Sequence, residues 1–150
     1  MTKYRGWSVE GKEWVYGYHC AIESRDYILP TYAMFVNGKI NEHYCREVIL
    51  KEVFTEVHPD SVGMFIGITD KGGKEIYGSL PDARGGDILK DGKGENGRVV
   101  YLPNVASFVV ETQGEECQYW SLNEGNLSNQ TQLTYTEVIG NQWEEENAKG

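Results

Sequence analysis

The sequence has no long run of apolar residues. Near its start, Lys3 and Arg5 precede Gly6 and Trp7, where a secretory signal peptide would need an apolar stretch of roughly 7–15 residues. No other segment approaches the roughly 20 apolar residues that a membrane-spanning helix requires. We therefore expect a cytoplasmic protein with no membrane partner.

Cysteine and histidine are also scarce, with three of each in 150 residues. Cys20, Cys45 and Cys117 are odd in number, far apart and outside any CxxC spacing. This pattern predicts neither a disulfide framework nor a zinc site, and buried thiols are the favoured interpretation. The histidines are scattered as well, and His58 is expected to be a surface or capping residue. We expect no metal and no cofactor.

Catalytic motifs are missing in the same way. Residues 67–74 (GITDKGGK) resemble a phosphate-binding loop, but an extra glycine displaces Lys74, and Glu75 stands where a magnesium-binding hydroxyl is needed. Residues 87–96 have the Asp and Gly of a calcium loop, but lysines interrupt the acidic ligands. No GxSxG elbow surrounds any serine. Because triads assemble in space, a hydrolase stays a distant hypothesis, and we expect the protein not to be an enzyme.

Basic side chains are nearly absent from the last third of the chain. Residues 101–150 carry one basic and eight acidic side chains, and the formal net charge of the whole chain is −9. This charge repels a phosphate backbone and argues against broad non-specific nucleic-acid binding. Lys90, Lys93 and Arg98 form a weak candidate ligand contact. They alternate with acidic residues, so a mixed, solvated loop is the favoured interpretation.

Glycine and aromatic residues are abundant, with 18 Gly, 10 Tyr and 4 Trp, which favours strands and tight turns over helices. Residues 3–7 and 13–21 alternate as strands do and flank a turn that contains Gly11, so they predict an opening hairpin. Trp14, Tyr16 and Tyr18 share one face of its second strand. Such a row of period two is more typical of a core than of a binding platform.

The best-defined unit is a second hairpin. Residues 62–69 predict a strand, residues 70–73 a turn and residues 74–77 the returning strand. Gly63 and Gly67 are costly in an isolated strand, so they indicate a bulge or the close approach of another backbone.

A series of short strands follows, separated by Gly, Pro and Asn. They are predicted at residues 87–90, 98–102, 107–112, 118–122 and 134–141. Residues 23–55 are the least readable: residues 33–36 precede an Asn37-Gly38 turn, and residues 44–54 fit either a helix or a strand. Residues 144–150 are polar and are expected to fray.

The whole chain, residues 1–150, is therefore predicted to be one mainly-β domain that contains a small, partly open barrel with little helix. Residues 1–60 would form the opening hairpin and a variable region. Residues 61–141 would hold the second hairpin and the barrel strands, and residues 142–150 a polar tail.

Four blocks of sequence carry a family resemblance. KYRGWSVEGKEWVYG opens the chain, VHPDSVGMFIGITDKGGKEIY and GGDILKD occupy its middle, and TEVIGNQWEE lies near its end. In this order the blocks resemble the signature of the YopX-like proteins of bacteriophages and prophages. In that family the strand ending in KEIY runs directly into an acidic residue followed by Gly-Asp. Here residues 78–85 (GSLPDARG) intervene, which puts the local hairpin geometry in doubt.

The resemblance implies a mainly-β fold with a barrel-like portion, SH3-like in the C-terminal half, in a protein that lives inside a bacterial host and self-associates. It implies no activity. Gly63, Gly67, Gly86 and Asp87 match the family pattern. We interpret them structurally, the glycines for backbone approach and Asp87 for a side-chain hydrogen bond to nearby turn amides.

Two functional hypotheses follow. The leading one is a non-enzymatic phage or prophage accessory protein that forms a homo-oligomer and binds a host or phage macromolecule. The alternative is a small barrel that binds nucleic acid or a nucleotide, with aromatic side chains on the bases and Lys90, Lys93 and Arg98 near the phosphates. The alternative requires those three side chains to converge on one face, clear of the acidic C-terminal strands.

Overall fold

Antiparallel β-strands form most of the protein, so the prediction of a mainly-β fold is confirmed. The computed structural model describes residues 3–30, 54–112, 116–122 and 131–148. The strands described are β1 (Tyr4–Trp7), β2 (Trp14–Ile22), β3 (Arg25–Pro30), β4 (Thr55–Val57), β5 (Gly63–Thr69), β6 (Glu75–Gly78), β7 (Asp87–Lys90), β8 (Asn96–Leu102), β9 (Ser107–Thr112), β10 (Tyr119–Ser121) and β11 (Glu137–Asn141). A short 3-10 helix spans Pro59–Ser61, and an α-helix, α1, spans Gln142–Ala148.

The strands form two open sheets. The N-terminal sheet has the order β4-β3-β2-β1-β5-β6, and the C-terminal sheet has the order β10-β9-β8-β7-β11. Neither closes into a barrel within the described residues. A parallel bridge between Ser79, just after β6, and Val100 of β8 joins the two sheets. The barrel-like portion expected from the sequence is thus replaced by two sheets that meet along β6.

The opening hairpin forms as the sequence predicts. Strand β1 pairs antiparallel with β2 in a register that places Arg5 opposite Tyr16 and Trp7 opposite Trp14. These four side chains therefore share one face of the N-terminal sheet. Tyr16 is 40% exposed, so the aromatic row extends from the interior to the surface.

The second hairpin, β5–β6, also forms as predicted, and Asp70 anchors its turn. Its Oδ1 accepts the backbone N–H groups of Gly72 and Lys74, both at 2.9 Å. Its Oδ2 accepts the N–H of Val138 in β11 at 3.0 Å. One carboxylate thus closes the turn and ties the hairpin to the C-terminal sheet. The stretch that resembles a phosphate loop is a structural turn.

The hydrophobic core lies between β6 and the C-terminal sheet. Its fully buried members are Ile76, Leu89, Val99, Val110 and Leu133. Their neighbours Tyr77, Ile88 and Val100 are buried as well, so β6, β7 and β8 are covered on both faces at these positions. Half-buried apolar side chains complete this core: Ile66, Ile68, Phe108, Trp120, Leu122 and Val138.

Several features differ from the sequence-based expectations. Residues 142–148 form helix α1 where a fraying polar tail was expected, because Asn141 caps the helix: its Oδ1 accepts the N–H of Glu144 at 2.9 Å. Cys117 is exposed, so the expectation of buried thiols is wrong for it, whereas Cys20 is half-buried. Burial, with the nearby Asp26 carboxylate, raises the pKa of Cys20.

Strands β3 and β4 arise where the sequence pattern was unreadable. The predictions for residues 33–38, for residues 44–53 and for Cys45 lie outside the described residues. In the part of the chain that the structure describes, no helix is long and apolar enough to cross a bilayer.

Candidate functional site

A buried arginine lies where the two sheets face each other. The guanidinium of Arg5 is held between the rings of Trp14 and Tyr77, with its central carbon 4.4 and 4.6 Å from the two ring centroids. The Arg5 side chain is only 5% exposed. Aromatic faces attract a desolvated cation strongly, and their flat shape matches the flat guanidinium.

Asp87 neutralises this arginine. Nη2 of Arg5 donates to Oδ1 of Asp87 at 2.7 Å and to the carbonyl of Gly85 at 2.8 Å, and the N–H of Tyr77 donates to Oδ2 of Asp87 at 2.8 Å. Asp87 therefore binds an arginine and a strand amide, where the sequence predicted turn amides. Burial raises the pKa of Asp87 even though Arg5 opposes the shift. Burial, with the Glu75 carboxylate nearby, also raises the pKa of Tyr77.

The signature glycines surround this pair. A Cβ on Gly63 would lie 2.5 Å from the carbonyl oxygen of Gly85, and one on Gly86 would overlap the carbonyl of Val99. Gly67 has open space around it but a φ of 91°, at the point where the β5–β6 register shifts. Gly63 and Gly86 thus permit the backbone approach that brings Asp87 to Arg5, whereas Gly67 permits a bulge.

An aromatic groove opens beside this buried pair. It has a volume of about 450 Å³ and lies between the opening hairpin, the 3-10 helix and helix α1. Its lining residues are Trp7, Val9, Lys12, His58, Trp143, Glu144 and Asn147. This volume is within the range of pockets that hold small ligands or single side chains of a partner.

The walls of the groove are fixed by aromatic contacts. The imidazole of His58 stacks on the indole of Trp143 with ring centroids 5.2 Å apart and planes 33° from parallel. Trp7 meets Trp14 edge to face at 5.4 Å. The Trp7 wall is therefore continuous with the ring that covers Arg5, so the groove and the buried pair share one set of aromatic contacts.

Helix α1 supplies two polar side chains of the groove, Glu144 and Asn147. Oε1 of Glu144 accepts the indole N–H of Trp14 at 3.1 Å, and Oε2 accepts Nδ2 of Asn141 at 2.7 Å. Nδ2 of Asn147 donates to the carbonyl of Trp143 at 2.8 Å, which leaves its Oδ1 as an acceptor. Lys12, a hairpin residue with φ of 52°, supplies a flexible cation at the rim.

This groove is not predicted from the sequence. There, His58 is expected to be a surface or capping residue, and Trp143 falls in the polar tail of residues 142–150. Three distant segments supply Trp7, His58 and Trp143, and no spacing in the sequence reveals that they meet. The only available signal was the tryptophan at each end of the chain, since Trp is costly to leave exposed.

The basic residues selected from the sequence lie elsewhere. Lys90 ends β7 opposite Glu137, and Lys93 lies in the following turn. Arg98 lies opposite Glu111 in β9 and bonds it at 2.9 Å. Lys90 and Arg98 thus each lie opposite a glutamate of a neighbouring strand, so they do not form the basic face, clear of acidic strands, that nucleic-acid binding requires.

Comparison with known protein families identifies the family of this chain. A family model described as YopX protein matches residues 3–147, which is nearly the whole chain. The chain belongs to the YopX family. A search of curated proteins finds no match to this YopX-family chain. Family membership fits a phage-type protein and assigns no activity to the groove.

Proposed function

We propose that this YopX-family protein is a non-enzymatic phage or prophage accessory protein that binds a host or phage macromolecule in the aromatic groove. The observation that supports this most directly is the groove itself, with Trp7, His58 and Trp143 in its walls. Rigid aromatic side chains in a concave site are typical binding hot spots. The proposed location is the cytoplasm of the bacterial host.

The chemistry of the groove favours binding over catalysis. His58 is stacked on Trp143, and Glu144 is bonded to Trp14 and Asn141. Within the described residues, Ser61 Oγ donates to the backbone carbonyl of His58, and no hydrogen bond joins the His58 imidazole or the Glu144 carboxylate to a serine, threonine or cysteine that could act as a nucleophile. The two best candidates for a general base are thus used to hold the walls of the groove.

We also propose that the protein self-associates. Large apolar side chains are exposed on the C-terminal half: Leu80, Val105, Tyr119, Tyr135 and Ile139. Tyrosine is enriched at protein–protein interfaces, and Tyr119 and Tyr135 are more than half exposed. Light scattering should give a mass at least twice that of the 17.0 kDa chain. A monodisperse monomer at high micromolar concentration would rule out self-association and leave the groove proposal unaffected.

Affinity capture from phage-infected cells tests the binding role. The wild-type protein and the Trp143→Ala variant would be used as baits, and the bound proteins and nucleic acids identified. Tyr16→Ala is the matched control, because it removes an exposed aromatic ring that lies outside the groove and outside the apolar side chains proposed for self-association. The partner should be captured by the wild type and by Tyr16→Ala but lost with Trp143→Ala. Equal capture by all three folded proteins would refute a function of the groove in binding.

A further inference from the structure

We infer that the occupant of the aromatic groove is an arginine side chain in a basic peptide segment of a partner protein. This inference rests on the proposed binding function and adds the chemistry of the ligand. The hydrogen-bonding character of the groove, its aromatic walls and a matching arrangement inside the same protein support it.

Two of the polar side chains that line the groove, Glu144 and Asn147, offer hydrogen-bond acceptors. Glu144 has one bond to each carboxylate oxygen, from Trp14 and Asn141, and each oxygen keeps a further lone pair. Asn147 uses its N–H on the Trp143 carbonyl and presents Oδ1. A ligand that satisfies these atoms must donate several hydrogen bonds. A guanidinium offers five N–H donors and a positive charge opposite the carboxylate.

The walls of the groove suit the same group. Trp7 and the stacked pair of His58 and Trp143 present flat aromatic surfaces. A guanidinium stacks on such surfaces through cation–π attraction, and Trp is the strongest of the aromatic partners. The aliphatic stem of an arginine would contact Val9 while its charged head reaches the carboxylate.

The protein already binds one guanidinium in this way. Arg5 lies between Trp14 and Tyr77 and donates to Asp87. Trp14 connects the two sites: its ring covers Arg5, and its N–H holds Glu144 at the groove. An aromatic wall with a fixed carboxylate at its edge is therefore a stable arrangement in this fold, occupied once by the chain itself.

The net charge of the molecule favours a basic partner over an anionic one. The chain has a formal net charge of −9, and helix α1 adds Glu145 beside Glu144, whereas Glu146 is paired with Arg84. Lys12 is the opposing cation at the rim, on a flexible stem that can turn to solvent. Long-range attraction would bring a basic segment to this face and repel a nucleotide.

A peptide titration followed by NMR tests the inference. The probe is a blocked Gly-Gly-Arg-Gly-Gly peptide, and the matched control contains citrulline, which has the same shape without the charge. The arginine peptide should shift the indole N–H signals of Trp7 and Trp143 and bind at least about tenfold more tightly than the citrulline peptide. Equal affinity of the two peptides would overturn the inference.

Two charge variants distinguish a specific contact with the Glu144 carboxylate from a general effect of charge. Glu144→Gln should weaken binding of the arginine peptide by about tenfold, which is the scale of one charge-assisted hydrogen bond. Glu145→Gln removes the same charge from the neighbouring position outside the groove lining and should leave the affinity within about twofold, as expected for a screened surface charge. Equal losses in both variants would show a general charge effect and contradict a specific site.

An oligonucleotide titration at low salt tests the competing hypothesis that the ligand is anionic. If a single-stranded oligonucleotide shifts the same indole signals and the arginine peptide does not, the ligand is anionic and the inference fails. The capture experiment tests the binding function separately. If Trp143→Ala abolishes capture but the arginine and citrulline peptides bind equally, the binding function stands and arginine is rejected as the ligand.

Discussion

Arg5 and Asp87, 82 residues apart in the chain, form a buried ion pair that joins the first strand of the N-terminal sheet to β7 of the C-terminal sheet. Both side chains are at most 5% exposed. A buried pair of this kind costs desolvation on both sides, so its net contribution to stability is small while the loss of one partner is severe. Loss of either partner would therefore leave a buried, unpaired charge between β1 and β7.

Removing one member of the pair should be strongly destabilising. We expect Asp87→Asn to lower the free energy of unfolding by about 3–5 kcal/mol, because the charge of Arg5 is left buried and unpaired. The double variant Arg5→Met with Asp87→Asn should recover part of this loss, since Met fills the space between Trp14 and Tyr77. Urea denaturation of the single and double variants measures the coupling, and strictly additive losses would contradict it.

The glycines of β5 should respond to alanine according to their different surroundings. Gly63→Ala forces a Cβ against the Gly85 carbonyl at 2.5 Å and should cost about 1–3 kcal/mol through overpacking. Gly67→Ala meets no atoms but keeps a φ of 91°, so backbone strain of about 1–3 kcal/mol is expected.

Gly72→Ala is the control for both glycine variants. Its nearest contact would be Asp70 Oδ1 at 3.5 Å, which is ordinary van der Waals distance. Its stability should stay within about 0.5 kcal/mol of the wild type. Crystal structures of the two β5 variants would distinguish the causes, because only Gly63→Ala should displace the 85–87 segment.

The sequence predicted the hairpins well because their determinants are local. In β1–β2 and β5–β6, alternating side chains and a turn rich in Gly or Asp lie within a few residues of each other. The Arg5–Asp87 pair and the groove depend on side chains far apart in the chain. No local sequence pattern identifies the residues that Arg5 or Trp143 contacts, so the candidate site could not be predicted.

Helix α1 could likewise be predicted only in part from the sequence. Its polar composition favours fraying, but the cap at Asn141 and the ion pair of Glu146 with Arg84 at 2.8 Å hold it. The cap is visible in the sequence as Asn followed three residues later by Glu. The ion pair is not, because the partner comes from the 78–85 insertion.

The two arginines that hold the 78–85 insertion should differ in their contributions to stability. Arg98 is largely buried and bonds Glu111 at 2.9 Å, Gln142 at 3.0 Å and the Pro81 carbonyl at 3.1 Å. Its replacement by Gln should cost about 1–3 kcal/mol, since three acceptors, two of them partly buried, lose their donor.

Arg84 provides the contrast, because its side chain is 50% exposed in the ion pair with Glu146. Arg84→Gln should cost about 0–1 kcal/mol, and the loss should vanish at high salt. Thermal denaturation of both variants at low and high salt would check this, and an equal loss for Arg84→Gln and Arg98→Gln would contradict it.

Asp70 should make the stability of the protein depend on pH in the acid range. Burial acts to raise the pKa of Asp70, but hydrogen bonds from the Val138, Lys74 and Gly72 amides, with the charge of Lys74, outweigh it and hold the pKa below its ordinary value. The unfolded chain then binds the proton more readily than the folded one. The stabilising contribution of Asp70 is therefore present above the unfolded pKa of about 3.9 and is lost as pH falls through the folded pKa.

The Asp70→Asn variant isolates this contribution. It places an N–H group against the Val138 amide, so it should be less stable than the wild type at pH 6 by about 1–3 kcal/mol. The difference should shrink as the pH is lowered from 5 towards 2, because protonation weakens the same hydrogen bonds in the wild type. Urea denaturation across that range measures both curves. A difference that stays constant or widens on acidification would mean that Asp70 does not stabilise the fold through its charged form.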